Sequence, residues 1–554
     1  MPVMASRITP DYVRIAIDRT QARSVVMSTG GIAASEHPLA SQAGASVLGR
    51  GGHAVDAAIA VNAVMNVVAP MSNGIGGDLF AIVYDAATGA LHGINGSGYA
   101  PAALTIDSLH ARGLTSMPQS GILAVTVPGA VAAWSKLHER FGRQAFGDLL
   151  SPAIRIAEDG FPVPEIVAAE WGGSEAILRS NAEASRVYLP HGRAPQAGEI
   201  FRNPDLASAY RALAAGGRDA FYRGEIGQRI ARGAERQQGV LSAADLAAYD
   251  AEWVTPLSTT YRGWTVHELP PNGQGLAALM MLNLIEHAPI ASYGHNSVEA
   301  LHTIIEAKKL AYADLQRHVC DPAFHQIPQA TLISKAYAAQ RAREIDPARA
   351  NPAVSAGALS AHGGDTVYLS VVDRDGNMVS LIQSNFATFG SGVVPEGTGF
   401  ALQNRGGMFT LEPQHPNALA PRKRPLHTII PGFMKGPDQR HVAFGIMGGW
   451  NQAQAHVQFI SNVIDHGMNI QAALEAARVT KITFTGSDVI LESRVPEAVR
   501  GALTAKGHEI DLQGSFSSLV GGGQSVARDH ATGVNFGASD PRKDGAAVPE
   551  PIQS

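Results

Sequence analysis

Residues 362–390 read "HGGDTVYLSVVDRDGNMVSLIQSNFATFG". Two runs, "TVYLSVV" (366–372) and "MVSLIQS" (378–384), flank "DRDGN", and an Asp-Gly pair between β-branched, apolar segments is a strong hairpin signal. Centred on Asp375, the hairpin sets Thr366 opposite Ser384, so two hydroxyls meet at its open end. Just upstream, "DPARANPAVSAGALSAHGG" (346–364) is rich in proline and glycine and reads as a flexible, exposed connection. A hydroxyl at the junction of a flexible loop and a sheet core suits self-cleavage. Threonine is also common at the first position of an ordinary strand, and on these residues alone both readings stand.

The chemistry of the first reading is simple. A threonine hydroxyl is a weak nucleophile near neutral pH, whereas a free α-amine, with an ordinary pKa of about 7.7 to 8.0, is a base carried by the same residue. Breaking the 365–366 bond would create that base and expose the nucleophile together.

Composition bounds the rest. The 554 residues can bury a large core in one or two intimately packed lobes. Hydrophobic residues at 45% and charged residues at 16% describe a turn-rich globular chain. A net charge of −5 gives no electrostatic reason to expect nucleic acid. The single cysteine, Cys320, excludes an intrachain disulfide and a multi-cysteine metal site, and reads as a buried or semi-buried spectator. The charged start, with Arg7, Asp11, Arg14, Asp18 and Arg19, does not read as a secretory signal. The apolar runs fall short of a membrane span of about 20 residues. A cytoplasmic protein without membrane or nucleic-acid partners is expected.

Residues 37–68 carry two helical patterns parted by Gly51 and Gly52, the second apolar on nearly every side and therefore buried. "SNGIGGDLFAIVYDAATGALHGIN" reads as a glycine-rich loop entering a hairpin. Residues 128–282 read as mainly helical, and the chain after the 346–364 connection reads as β-rich until about 450, then alternating. In "GIMGGWNQAQAHVQF", Gly448 and Gly449 precede a helical pattern starting near Asn451. Their N–H groups could converge at a helix N-terminus and hold an oxyanion; a plain strand-to-helix turn is the alternative. "LVGGGQSV" (519–526) lacks the lysine and spacing of a phosphate-binding loop and reads as a turn near the site.

Taken together and in order, "GGHAVDAAIAVNAV", "SNGIGGDLFAIVYD", "VPGAVAAW", "LPPNGQGLA", "AYADLQRHVCDPAF", "GDTVYLSVVDRDGNMVS", "KRPLHTIIP", "MGGWNQAQAHVQFISNVIDHGMN" and "GASDPRKDGAAV" resemble the γ-glutamyltransferase family of N-terminal nucleophile hydrolases over nearly the whole chain. The resemblance implies an α+β fold, a four-layer αββα sandwich. It implies a precursor that cuts itself between Asp365 and Thr366 into a large subunit, 1–365, and a small subunit, 366–554, intertwined in one domain. Thr366 is then the nucleophile, with Ser384, Gly448 and Gly449 in the catalytic set, and neither metal nor cofactor is expected.

The substrate end departs from the γ-glutamyl pattern. Relatives acting on γ-glutamyl donors carry an arginine for the α-carboxylate just before an "AP" pair, where "NGSGYAP" offers Ser97. They carry an aspartate for the α-ammonium where "LQNRGGMF" offers Met408. Each lost charge-assisted contact costs roughly 1.5 to 3 kcal/mol. The pattern resembles the branch that includes oxamate amidohydrolase, whose substrate is a small anionic amide. Arg405 is the candidate for its carboxylate, against the alternative of a structural ion pair. Asn385, His427 and Ser97 complete the substrate-binding candidates, with core or loop roles as the alternatives for Asn385 and His427. Two other readings stay open: γ-glutamyl transfer or glutathione hydrolysis, and an inactive relative acting as a binding protein. The expected partners are the small amide and the two subunits of one precursor; a homodimer of processed heterodimers is left open.

Overall fold

The computed structural model describes residues 21–354, 365–484 and 486–552. The hairpin forms where its local signals put it: Asp365–Val372 pairs antiparallel with Met378–Phe386, in register from Val367 opposite Gln383 to Val372 opposite Met378. Gly376 N–H closes the turn on Asp373 O at 3.1 Å, and its φ of 91° is one that a side chain resists. Asp373 pins the turn further, accepting from Asn377 N at 2.9 Å and from Ala54 N, at the start of a buried helix, at 3.1 Å. At the open end the register slips between Asp365 and Val367, and Asp365 pairs with Phe386.

Two seven-stranded sheets pack face to face. The hairpin lies at the centre of one, in the order Ala546–Pro549, Ile32–Ser35, Asp365–Val372, Met378–Phe386, Asp78–Asp85, Ala90–Gly96, Glu252–Val254. The other runs Val26–Ser28, Asn535–Ser539, Gly523–Asp529, Arg440–Ile446, Gly432–Lys435, Trp264–Glu268, Leu257–Tyr261. Neighbours in both are antiparallel.

Because strand side chains alternate in direction, the hairpin serves two cores. Val367, Leu369 and Val371 pack with helices Pro38–Gly49 and Ala54–Val68 on the outer face. Tyr368, Val372 and Ile382 pack with Phe433, Ala443 and Val526 between the sheets. Helices Gly275–Ile285, Val298–His318 and Gln452–Ile464 cover the outer face of the second sheet. The expected four-layer αββα sandwich is therefore present. Ala54–Val68 is buried along its whole length, and its first turn is closed reciprocally by His53 and Asp56.

The stretch 128–282 is mainly helical, as expected, and within it Glu252–Val254, Leu257–Tyr261 and Trp264–Glu268 add strands to both sheets. One expectation needs correction. Between Phe386 and Gly432 there is no strand, only isolated bridges at Thr410 and His427. Glycines at positive φ (390, 392, 397, 399) keep turning that chain back, and its amides bond other loops, as in Gln403 N to Gly76 O at 3.0 Å. Where the connection before the hairpin is described, 347–349 and 352–353 are exposed as expected, while Ala350 is buried and donates to Lys506 O at 2.7 Å, and Asn351 N donates to Glu306. Residues 355–364 of that connection lie outside the described residues.

Cys320 is buried as expected, and burial pushes its thiol up to about 11. The closing "GASDPRKDG" forms a buried ion cluster, with Arg542 against Glu492 at 2.6 Å and Asp540 at 3.0 Å, and Arg478 also on Asp540. Among the described residues no helix is long and apolar enough to cross a membrane.

Candidate active site

Thr366, Ser384 and Asp78 start or end three adjacent strands at one end of the first sheet. Asp78 is directly opposite Ser384, and alternation from Phe80, Ile382 and Tyr368 puts all three on the face between the sheets. Thr366 Oγ1 donates to Ser384 Oγ at 3.1 Å, so the two hydroxyls meet as the hairpin register requires. Ser384 Oγ also accepts from Phe386 N at 2.7 Å. Both residues are buried. Phe386 takes a φ of 76°, bending the strand just past the serine.

Asp78 is the functional candidate that the sequence reading missed. Its Oδ1 accepts from Gly98 N at 3.2 Å, while Oδ2 accepts from Arg405 Nε at 3.3 Å and from His427 Nε2 at 2.9 Å. All three side chains are fully buried. His427 Nδ1 accepts from Ile429 N at 3.3 Å, which leaves the ring proton on Nε2, facing Asp78. Burial, with Arg405 beside it, pushes His427 down to about 4, so the ring is neutral. The missed signal was a carboxylate at the first position of an apolar strand, in "GIGGDLFAIV".

Arg405 is in a buried ion pair with Asp78. Beyond Asp78 it donates through Nη1 to Thr428 Oγ1 at 2.8 Å and lies 4.4 Å over the Phe386 ring. Burial pushes it down to about 10, against the pull of Asp78. Its Nη2 is buried with no hydrogen-bond partner among the described residues. Met408 ends the same short helical turn, Arg405–Met408, and is apolar and buried.

Ser97 is held in place: its N–H donates to Asn95 Oδ1 at 2.9 Å, and its Oγ accepts from Asn272 Nδ2 at 3.0 Å. A guanidinium does reach this stretch, from far along the chain. Arg424 Nε donates to the Ser97 carbonyl at 3.1 Å while its other arms pair with Glu252 and lie over Tyr99. Asn385 is held by its backbone to Ser72 and Asn404, and its buried side-chain amide has no partner among the described residues. A Cβ on Gly77 would lie 2.8 Å from the Asn385 Oδ1, so that wall admits only glycine.

Gly448 and Gly449 follow strand Arg440–Ile446, which packs across the sandwich from the Thr366 strand: the Tyr368 ring fills the space where a Cβ on Gly445 would stand. Gly448 (φ 124°) and Gly449 (φ 58°) turn the chain into Gly449–Asn451 and then helix Gln452–Ile464. Asn451 N bonds back to Gly448 O at 3.0 Å. Among the described residues, no backbone carbonyl accepts from the N–H groups of these glycines. Within 519–526 the turn is confined to Gly521 and Gly522, since Gly523 onward belongs to strand Gly523–Asp529; it lies against the glycine pair, and a Cβ on Gly521 would stand 2.0 Å from Met447 O and 2.8 Å from Asn451 Nδ2.

Among the described residues one group could bring three metal-ligand atoms together, His302, Glu306 and His508, within 4.8 Å. Glu306 there is already neutralised by Lys309 at 2.7 Å, and the group stands on elements other than those carrying Thr366.

Residues 40–550 match the family described as Gamma-glutamyltranspeptidase. Over 531 residues the chain is 36% identical to the glutathione hydrolase-like YwrD proenzyme of Bacillus subtilis, covering 94% of this chain and 99% of the relative. It is 35% identical over 532 residues to the oxamate amidohydrolase proenzyme of Klebsiella pneumoniae, with the same coverage of 94% and 99%. Among solved structures it is similar to cephalosporin acylase from Bacillus halodurans, with a TM-score of 0.90 and 41% identity over 99% of this chain and 100% of that one.

Proposed function

The chain belongs to the gamma-glutamyltranspeptidase family and has the fold of an N-terminal nucleophile hydrolase, and from that premise we propose that it is a precursor that cleaves itself before Thr366 and then hydrolyses a small amide bearing a carboxylate, such as oxamate. Thr366 Oγ1 attacks the Asp365 carbonyl carbon, the peptide nitrogen leaves as the α-amine of Thr366, and water hydrolyses the resulting ester. The products are residues 1–365 and 366–554, still folded together.

In turnover the freed amine takes the hydroxyl proton and Thr366 Oγ1 attacks the amide substrate. The oxyanion forms against the N–H groups of Gly448 and Gly449, ammonia or an amine leaves, and water releases the acid. Ser384 orients the nucleophile. The observation that carries the reaction is the 3.1 Å contact between the Thr366 and Ser384 hydroxyls where the strand opens.

For the substrate, the support is Arg405 Nη2, a buried donor without a partner among the described residues, beside an apolar Met408 where an α-ammonium would need an anion. Asn385, His427 and Ser97 line this reading as binding or positioning residues. A second reading, a γ-glutamyl donor, is favoured by Asp78: together with Arg405 it offers one charge of each sign to a zwitterion. Against it, both Asp78 oxygens already accept hydrogen bonds.

The deciding experiment compares kcat/KM of the matured enzyme on oxamate and on a γ-glutamyl anilide, after N-terminal sequencing of the small fragment. Oxamate should be the better substrate. A γ-glutamyl preference of tenfold or more, about 1.4 kcal/mol in transition-state binding, overturns the carboxy-amide reading. A small fragment starting at any residue other than Thr366 overturns the nucleophile.

A further inference from the structure

Behind the Gly448–Gly449 turn lies a buried polar group that no step above uses. Lys308 and Tyr312 stand one helical turn apart on Val298–His318. Lys308 Nζ donates to Trp450 O at 2.7 Å. Tyr312 Oη is 2.9 Å from the same carbonyl and 2.5 Å from Gln274 Oε1. Gln274 Nε2 in turn donates to Gly449 O at 2.8 Å and to Thr428 O. All three side chains are buried, and Lys308 Nζ lies 4.7 Å over the Tyr312 ring. Burial, with Lys481 adding to it, holds the Lys308 amine well below its ordinary range.

Peptide planarity converts these bonds into directions. In a trans peptide the N–H points away from the preceding carbonyl. The carbonyls of Gly448, Gly449 and Trp450 are tied in succession by Asn451 N, Gln274 and the Lys308–Tyr312 pair. The Trp450 carbonyl, held by Lys308 and Tyr312, sets the direction of Asn451 N–H, and the Gly448 carbonyl, held by that N–H, sets the direction of Gly449 N–H. Glycine at φ 58° has no side chain to resist rotation, so an outside clamp is what keeps the turn in one orientation.

We propose that Lys308, Tyr312 and Gln274 are positioning residues that hold the carbonyls of Trp450 and Gly449, so that Asn451 N–H stays on Gly448 O and Gly449 N–H, which shares the Gly448 peptide plane, stays aimed at the developing oxyanion. The inference rests on the acyl-transfer reading above.

The test uses matured enzyme and the variants Lys308→Met and Tyr312→Phe, with kcat and KM measured on the preferred amide. A second readout is the affinity of a boronic acid analogue of that substrate, which forms a tetrahedral adduct on the nucleophile. An aimed oxyanion donor contributes about 100- to 1000-fold in kcat, and its misalignment should cost about 10- to 100-fold. KM should stay within about twofold, boronate affinity should fall by the same factor as kcat, and binding of the acid product should not change. Variants that mature normally yet keep both kcat and boronate affinity overturn the proposal. So does an equal loss of product and boronate affinity, which indicates general damage. If Lys308→Met does not fold, Tyr312→Phe, which keeps the ring and deletes only the hydroxyl, decides alone. Failure of wild-type enzyme to bind the boronate through Thr366 would instead overturn the acyl-transfer reading.

Discussion

Replacing Asp78 by asparagine removes a negative charge from the point where three donors converge. In the native site its carboxylate accepts from Gly98 N, Arg405 Nε and His427 Nε2, with every side chain fully buried. An asparagine keeps one acceptor oxygen but turns its amide hydrogens toward at least one of those donors. Arg405 is left with only Thr428 and the Phe386 face as compensation. Removing one partner of a buried pair costs about 3 to 5 kcal/mol, because the other charge stays desolvated and unpaired. Urea unfolding, comparing midpoints at unchanged slope and in one processing state, measures this loss. The double variant Asp78→Asn, Arg405→Met should recover at least half of it, since an apolar side chain in that volume has no charge to compensate. A single variant within about 1 kcal/mol of wild type, or a double variant no more stable than the single one, would refute the claim that Asp78 exists to hold Arg405.

Thr366→Ala should remain one full-length chain on a denaturing gel, while Thr366→Ser should mature slowly and retain some turnover, since it keeps the hydroxyl but loses the methyl that stiffens χ1; an alanine variant cut at the same bond contradicts the assignment. Gly449→Ala should lower kcat at least tenfold and destabilise the protein by about 1 to 2 kcal/mol, because alanine resists a φ of 58°; unchanged kcat contradicts the glycine-turn reading. Burial pushes His37, His267 and His427 down to about 4 and His441 and His508 to about 3. Below about pH 6.5 the unfolded chain therefore binds protons that the folded chain refuses, and stability should fall as pH drops from 6.5 toward 4. A melting temperature at pH 5 equal to or above that at pH 7 contradicts this.

What the sequence determined by itself was local or periodic. The Asp-Gly turn and the period of two set the hairpin register, and with it the meeting of Thr366 and Ser384, because both depend on residues fewer than twenty apart in the chain. The all-apolar pattern of Ala54–Val68 announced a buried helix, and the glycine pair before Asn451 announced a strand-to-helix turn. Tertiary structure alone decided how Arg405 is used. Its counter-charge, Asp78, sits 327 positions away, and nothing in "LQNRGGMF" reveals that two of its arms are already engaged. The same holds for Arg424 at Ser97 and for the clamp of Gln274, Lys308 and Tyr312 behind Gly449. The irregular run between Phe386 and Gly432 was misread because its glycines and apolar residues have no period: its path follows the amides and carbonyls of other loops. Hydrophobic patterning sorts residues between core and surface, but a buried polar side chain acquires its role from its partners, and those partners are chosen by the packing of the two sheets.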